Sequence, residues 1–122
     1  MTEGKRRKAR SDRNHVVYRL VCIPTGERYI GVTVVTGRAY LRSIEQRWQQ
    51  HLYSAFTQQL TGALQVCIRQ NGADAFRREL VCIVRGKAAA HACERGLIAS
   101  EQPELNIECT SRKRVRGLEV SV

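Results

Sequence analysis

No stretch of this chain approaches the 18 or so apolar residues that a membrane-spanning helix needs. No membrane partner is therefore expected. The N-terminus is a basic run without an apolar core, so no secretory leader is expected either. Internal repeats are absent, and so is any Cys-x-x-Cys. The five cysteines, Cys22, Cys67, Cys82, Cys93 and Cys109, are an odd number without a framework spacing. Several lie in apolar runs, where a reduced cysteine acts as a small hydrophobe. This usage points to a reducing, cytoplasmic setting. His91-Ala92-Cys93 is the one close His/Cys pair, so a structural zinc site is not expected.

Acidic residues are scarce: 11 Asp and Glu stand against 21 Lys and Arg, a net charge of +10. Residues 1–14 carry six basic side chains against two acids, and residues 111–122 carry four against one. Most of the excess thus sits in two tails, with Lys5, Arg6, Arg7, Lys8 and Arg10 in the first. Arg112, Lys113, Arg114 and Arg116 form the second. Such tails suit a polyanion, because each neutralised phosphate releases counterions. Solubility is the plainer use of the same charges. An anionic membrane surface is a poorer match, since no amphipathic apolar partner accompanies them.

The 122 residues, 43% hydrophobic, are enough for one domain with a modest core. We place it at 15–110, between the tails 1–14 and 111–122. His15 to Ile23 and Arg28 to Val35 are rich in β-formers around Pro24-Thr25-Gly26-Glu27, which predicts a hairpin. From Leu41 the spacing turns helical. Ile44, Trp48, Leu52, Ala55 and Phe56 share one face of a helix running to about Phe56. Leu60, Leu64, Cys67 and Ile68 repeat that spacing, and Asn71-Gly72 stops the second helix. Glu79–Val84 reads as a short buried strand. Lys87–Ser100 reads as a third helix, ended by Pro103. Leu105–Glu108 reads as a last short strand or extended segment. The order ββααβα predicts an α+β fold: a small antiparallel or mixed sheet of about three strands with helices packed around it.

Several side chains in this frame carry chemistry. A two-residue turn centred on Pro24-Thr25 or on Thr25-Gly26 puts Tyr18 and Tyr29 on the same sheet face. A three-residue loop puts them on opposite faces. Arg47 and His51, four apart, neighbour each other on one helical stripe at the edge of the apolar face. Glu94 lies in the third helix, in a stretch otherwise poor in charge. Each feature alone has a plain reading. The tyrosines suit strands, the arginine and histidine suit a helix boundary, and a glutamate suits a surface.

Together, in this order, they resemble the GIY-YIG endonuclease family from about Val16 to Glu108. Val16-Val17-Tyr18 stands where the family has Gly-Ile-Tyr, and Tyr29-Ile30-Gly31 matches the second tripeptide. Arg47-Trp48-Gln49-Gln50-His51 is similar to its Arg-x-x-x-His helix. Glu94, followed by Leu97-Ile98, is similar to its metal-binding glutamate helix, and Asn106 to its terminal asparagine. Two departures stand out. The first tripeptide lacks its glycine. Gln58 and Gln59 occupy the segment where some members carry a further histidine. The tyrosine, arginine, histidine and glutamate set is intact.

The resemblance implies a DNA endonuclease, a phosphodiester hydrolase using one Mg²⁺ (or Mn²⁺) per site, in phage or prokaryotic contexts. Glu94 would hold the ion, since one carboxylate with substrate oxygens and waters commonly suffices. Arg47 would brace the phosphate oxygens. Tyr18 and His51 would activate water, with nearby cations favouring the tyrosine's phenolate. Tyr29 would position the water or the phosphate. Gly31 would permit close backbone approach, and Asn106 would orient the glutamate region or close the fold. The basic tails would bind DNA with weak sequence preference, or the C-terminal one would contact another protein. Whether the DNA is double-stranded, single-stranded or branched is left open, as is the oligomeric state. The alternative is a catalytically inactive nucleic-acid-binding module on the same fold.

Overall fold

A computed structural model describes residues 13–106. Strands β1 (Asn14–Cys22) and β2 (Arg28–Val34) come first, then helix α1 (Tyr40–Leu52) and helix α2 (Ala63–Asn71). Strand β3 (Phe76–Arg85) and helix α3 (Lys87–Glu101) follow. The sheet is three-stranded and antiparallel, in the order β2-β1-β3, so the fold is the α+β arrangement expected from the sequence.

The central position of β1 explains its composition. Val16, Val17, Tyr18, Leu20 and Cys22 are all buried, on both sides of the strand. Val16, Tyr18, Leu20 and Cys22 join the main core with Ile44 and Trp48 of α1 and Leu64, Cys67 and Ile68 of α2. Burying each such aliphatic side chain stabilises the fold by roughly 1.5–3 kcal/mol. The opposite face meets α3. There Cys82 of β3 approaches Cys93 of α3, with 3.3 Å between sulfurs. Arg19 ties the same face down through Glu79 at 2.8 Å and through Glu101 of α3. Arg28 reaches Glu101 at 3.2 Å.

The hairpin loop is wider than a two-residue turn but keeps the same centre. Cys22 N–H donates to Glu27 O and Gly26 N–H to Cys22 O, leaving Ile23–Gly26 as a four-residue loop. Gly26 has φ +77°, a conformation that favours glycine. Ile23 N–H turns away to Ala75 O at 2.8 Å, so it cannot close a tighter turn.

Four local expectations are corrected. The first helix is not regular to Phe56: Tyr53–Thr57 forms a π-helical turn, with Gln58 N–H on Tyr53 O. One extra residue offsets the side chains by about 100°. Ala55 stays buried, whereas Phe56 turns to solvent. Leu60 lies before α2 and is exposed, because α2 starts only at Ala63. β3 is longer than Glu79–Val84 and is not a buried strand: of its ten residues only Phe76 is buried. It lies at the sheet edge, and a register shift opposite Val17/Tyr18 leaves Leu80 and Ile83 exposed. Finally, Glu104–Asn106 is a 3-10 turn rather than a strand, because its polar groups serve β2 from the side. Ile107 and Glu108 lie outside the described residues.

Candidate active site

The hairpin register decides where the tyrosines go. Tyr18 faces Gly31, and Leu20 faces Tyr29 across β1 and β2. Residues two apart on a strand share a face, so Tyr18 and Tyr29 lie on the same one. Their ring centroids are 6.4 Å apart. Gly31 makes room for this pair. A Cβ there would meet the Tyr18 hydroxyl oxygen at 2.5 Å and a Tyr29 ring carbon at 2.9 Å. The glycine is therefore required by the side chain lying over it.

Helix α1 brings His51 against both rings. Its imidazole lies edge-on to Tyr29, with centroids 5.4 Å apart, and its Nε2 is 2.9 Å from the Tyr18 hydroxyl. Tyr18 and His51 are 1% and 4% exposed, so this hydrogen bond is sheltered from water. With Nε2 unprotonated, the imidazole accepts the phenol proton; with Nε2 protonated, the roles reverse. Arg47, one turn earlier, places a positive charge close enough to act on the Tyr18 hydroxyl. Arg47 also donates to Gln50 Oε1 at 2.6 Å.

The electrostatics correct one expectation. The Tyr18 phenol is pushed above its ordinary range, not below it. Burial is the largest cause and the neighbouring Tyr29 adds to it; Arg47 pulls the other way and loses. His51 is lowered to about 4, first by burial and then by the charge of Arg47. Near neutral pH the pair is thus a neutral phenol bonded to a neutral imidazole.

Glu94 joins from α3. Its charge reaches Tyr18 as the smallest of the contributions acting there. Its Oε1 lies 3.3 Å from His91 Nδ1, one helical turn away. The carboxylate is mostly shielded but not sealed. Among the described residues, no three His, Cys, Asp or Glu side chains group to hold a metal ion. What Glu94 offers is a single hard-oxygen ligand. That fits an ion completed by substrate oxygens and waters, the usual habit of Mg²⁺, and does not fit an all-protein cage.

Asn106 serves the backbone of β2. Its Oδ1 accepts from Ile30 N–H at 2.8 Å, and its Nδ2 donates to Ile30 O at 2.9 Å. It stands in for a neighbouring strand at the outer edge of the sheet. Ile30 is the residue between Tyr29 and Gly31, so the contact fixes the backbone that carries both.

Beside this cluster is a polar cleft of about 450 Å³. Arg47 and Gln50 of α1 line it, as do Lys87 and His91 of α3. His15 lines it too. Of these, the sequence reading picked out only Arg47 for a role. His91 had a signal, since it lies one helical turn before Glu94; His15 had none, being one more residue of a β-rich run. The basic residues Lys5, Arg6, Arg7, Lys8, Arg10, Arg112, Lys113, Arg114 and Arg116 lie outside the described residues. Compared with known proteins, the chain matches no family model, no curated protein and no solved structure.

Proposed function

We propose that the chain is a GIY-YIG-type endonuclease that hydrolyses DNA phosphodiester bonds with one Mg²⁺ or Mn²⁺. The observation that carries this reading is the convergence of side chains from the hairpin, α1 and α3. Tyr18 and Tyr29 from the hairpin meet His51 from α1 in one partly buried cluster, and the charges of Arg47, one turn before His51, and of Glu94 from α3 both act on Tyr18. A packing core has no use for an arginine and a carboxylate at the rim of a buried Tyr–His pair.

In this reading Arg47 binds a non-bridging phosphate oxygen with its planar guanidinium. The Tyr18 hydroxyl takes a proton from the attacking water as it passes its own to His51 Nε2. The relay moves one proton through a short hydrogen bond, so no isolated buried phenolate has to form. Tyr29 orients the water or the phosphate. Glu94 would hold the divalent ion, which when bound supplies charge stabilisation at the phosphate and the leaving oxygen. His91 orients that carboxylate through its Nδ1 contact.

The test is nicking of plasmid, single-stranded and branched DNA in Mg²⁺ against EDTA. Cleavage should need the metal and should fall with Glu94→Ala while DNA binding persists. Cleavage that continues in EDTA, or in Glu94→Ala undiminished, overturns the reading. Binding without any cleavage indicates an inactive nucleic-acid-binding module.

A further inference from the structure

The cleft beside the cluster has a one-sided polar lining. It is lined by no carboxylate, but by two basic side chains, Arg47 and Lys87, and by several hydroxyl and amide groups. Two of its polar side chains are almost fully buried: His15 at 4% and Ser43 at 5% exposed. His15 donates its Nδ1 proton to the Arg13 carbonyl at 2.9 Å. In the neutral imidazole this leaves Nε2 as an acceptor, and no described residue engages it. Such an acceptor is satisfied by water or by a ligand that supplies a donor. The Ser43 hydroxyl spends its proton on Ala39 O at 2.7 Å, so it too presents only lone pairs.

We propose that this cleft receives one unpaired nucleotide of the substrate, next to the phosphate held by Arg47. The chain then acts on DNA carrying unpaired bases in preference to a continuous duplex. This inference rests on the nuclease reading above and names its substrate class. At about 450 Å³ the recess is in the size range of small-molecule pockets. A duplex keeps its bases stacked inside and presents a convex backbone, which does not fill a recess. An unpaired base can swing in, and the unstacking cost is smallest where the base is already unpaired. The donor that His15 Nε2 and Ser43 lack is what the exocyclic amine of adenine or cytosine offers. Lys87 and Arg47 match the phosphate, Thr33 and Gln46 match further base or sugar groups, and the His91 imidazole offers a flat stacking surface.

Two measurements test it on the intact chain. In the first, deoxyadenosine monophosphate is titrated and amide chemical shifts are followed. Shifts should centre on His15, Thr33, Ser43 and Lys87, and affinity should weaken severalfold in Lys87→Ala and in Gln46→Ala. Both side chains are exposed, so these variants keep the fold. Shifts centred elsewhere, or affinity unchanged in both variants, overturn the proposal. In the second, initial rates in Mg²⁺ are compared for a duplex with one bulged adenine and the same duplex fully paired. The bulged substrate should be cut roughly tenfold faster or more, and Gln46→Ala should shrink that ratio. Equal rates overturn the preference. Failure to cut any DNA defeats the nuclease reading alone, and the nucleotide titration still decides whether the cleft binds its ligand.

Discussion

The Tyr18 hydroxyl and His51 Nε2 share a 2.9 Å hydrogen bond, and both side chains are almost fully buried. Neither partner can be altered without leaving the other buried and unsatisfied, which costs roughly 1–3 kcal/mol. His51→Ala should therefore lower stability by about that amount as well as lowering activity. Tyr18→Phe keeps the ring's packing but leaves His51 Nε2 without its partner, so it should cost stability in the same range, while cleavage falls about 10²–10⁴-fold. Urea denaturation and initial rates, measured on both variants, separate the two effects.

The lowered His51 carries a pH dependence of stability. Its folded value of about 4 lies below the ordinary 6.5, so between those values the unfolded chain binds more protons than the folded one. Stability from this group is fully present above pH 6.5 and is lost as pH falls through about 4. The loss is on the order of 3 kcal/mol. His51→Gln removes the titration, and its melting temperature should change less than the wild type's between pH 7 and pH 4.5. Parallel pH profiles for the two proteins would show that His51 is not responsible.

Gly31→Ala sets a methyl group 2.5 Å from the Tyr18 hydroxyl oxygen and 2.9 Å from the Tyr29 ring. Tyr18 is a stiff ring enclosed on all sides and has nowhere to move. Overpacking of this kind costs about 1–3 kcal/mol. Because the displaced atoms are the ones the proposed mechanism uses, cleavage should drop by more than stability does. Calorimetry beside a nicking assay reads both, and full activity in Gly31→Ala would show that Tyr18 tolerates displacement.

Asn106 separates donor from acceptor, so its two substitutions should differ. Asn106→Ala loses both hydrogen bonds to Ile30. Asn106→Asp keeps an acceptor for Ile30 N–H but sets a second oxygen against the Ile30 carbonyl, where Nδ2 now donates. Thermal melts should show Asp at or below Ala in stability, each lower than wild type by roughly 1–3 kcal/mol. In both, hydrogen exchange at the Ile30 amide should quicken; unchanged exchange would show that β2 does not depend on this clamp.

Much of the frame was legible in the chain because it is local. The β-rich runs either side of Pro24-Thr25-Gly26 predicted β1 and β2, and one of the two loop lengths considered, the two-residue turn, put Tyr18 and Tyr29 on one face. The four-residue spacing of Arg47 and His51 placed them on one stripe of α1. Where the reading went astray, a non-local partner was at work. The Glu79–Val84 run reads as a buried strand, yet its place at the sheet edge leaves Leu80 and Ile83 in solvent. Phe56 follows helical spacing on paper, but the π-helical turn shifts it off the face. Cys82 and Cys93 come within 3.3 Å although eleven residues separate them, and no spacing signals that contact.

Residue types and their spacing, then, decided which side chains were candidates: two tyrosines, an arginine, a histidine, a glutamate and an asparagine. Periodicities of two and 3.6 residues act within a single element, so they can be read along the chain. Only the packed fold decided their states. Burial by α1 and the sheet raises Tyr18 and lowers His51, against the expectation that nearby cations would favour the phenolate. Only the fold, too, joined His15 to His91 and Arg47 to Lys87 around one cleft. Desolvation and enclosure depend on what other elements bring into contact, and that information is spread over the whole chain rather than held in any one stretch of it.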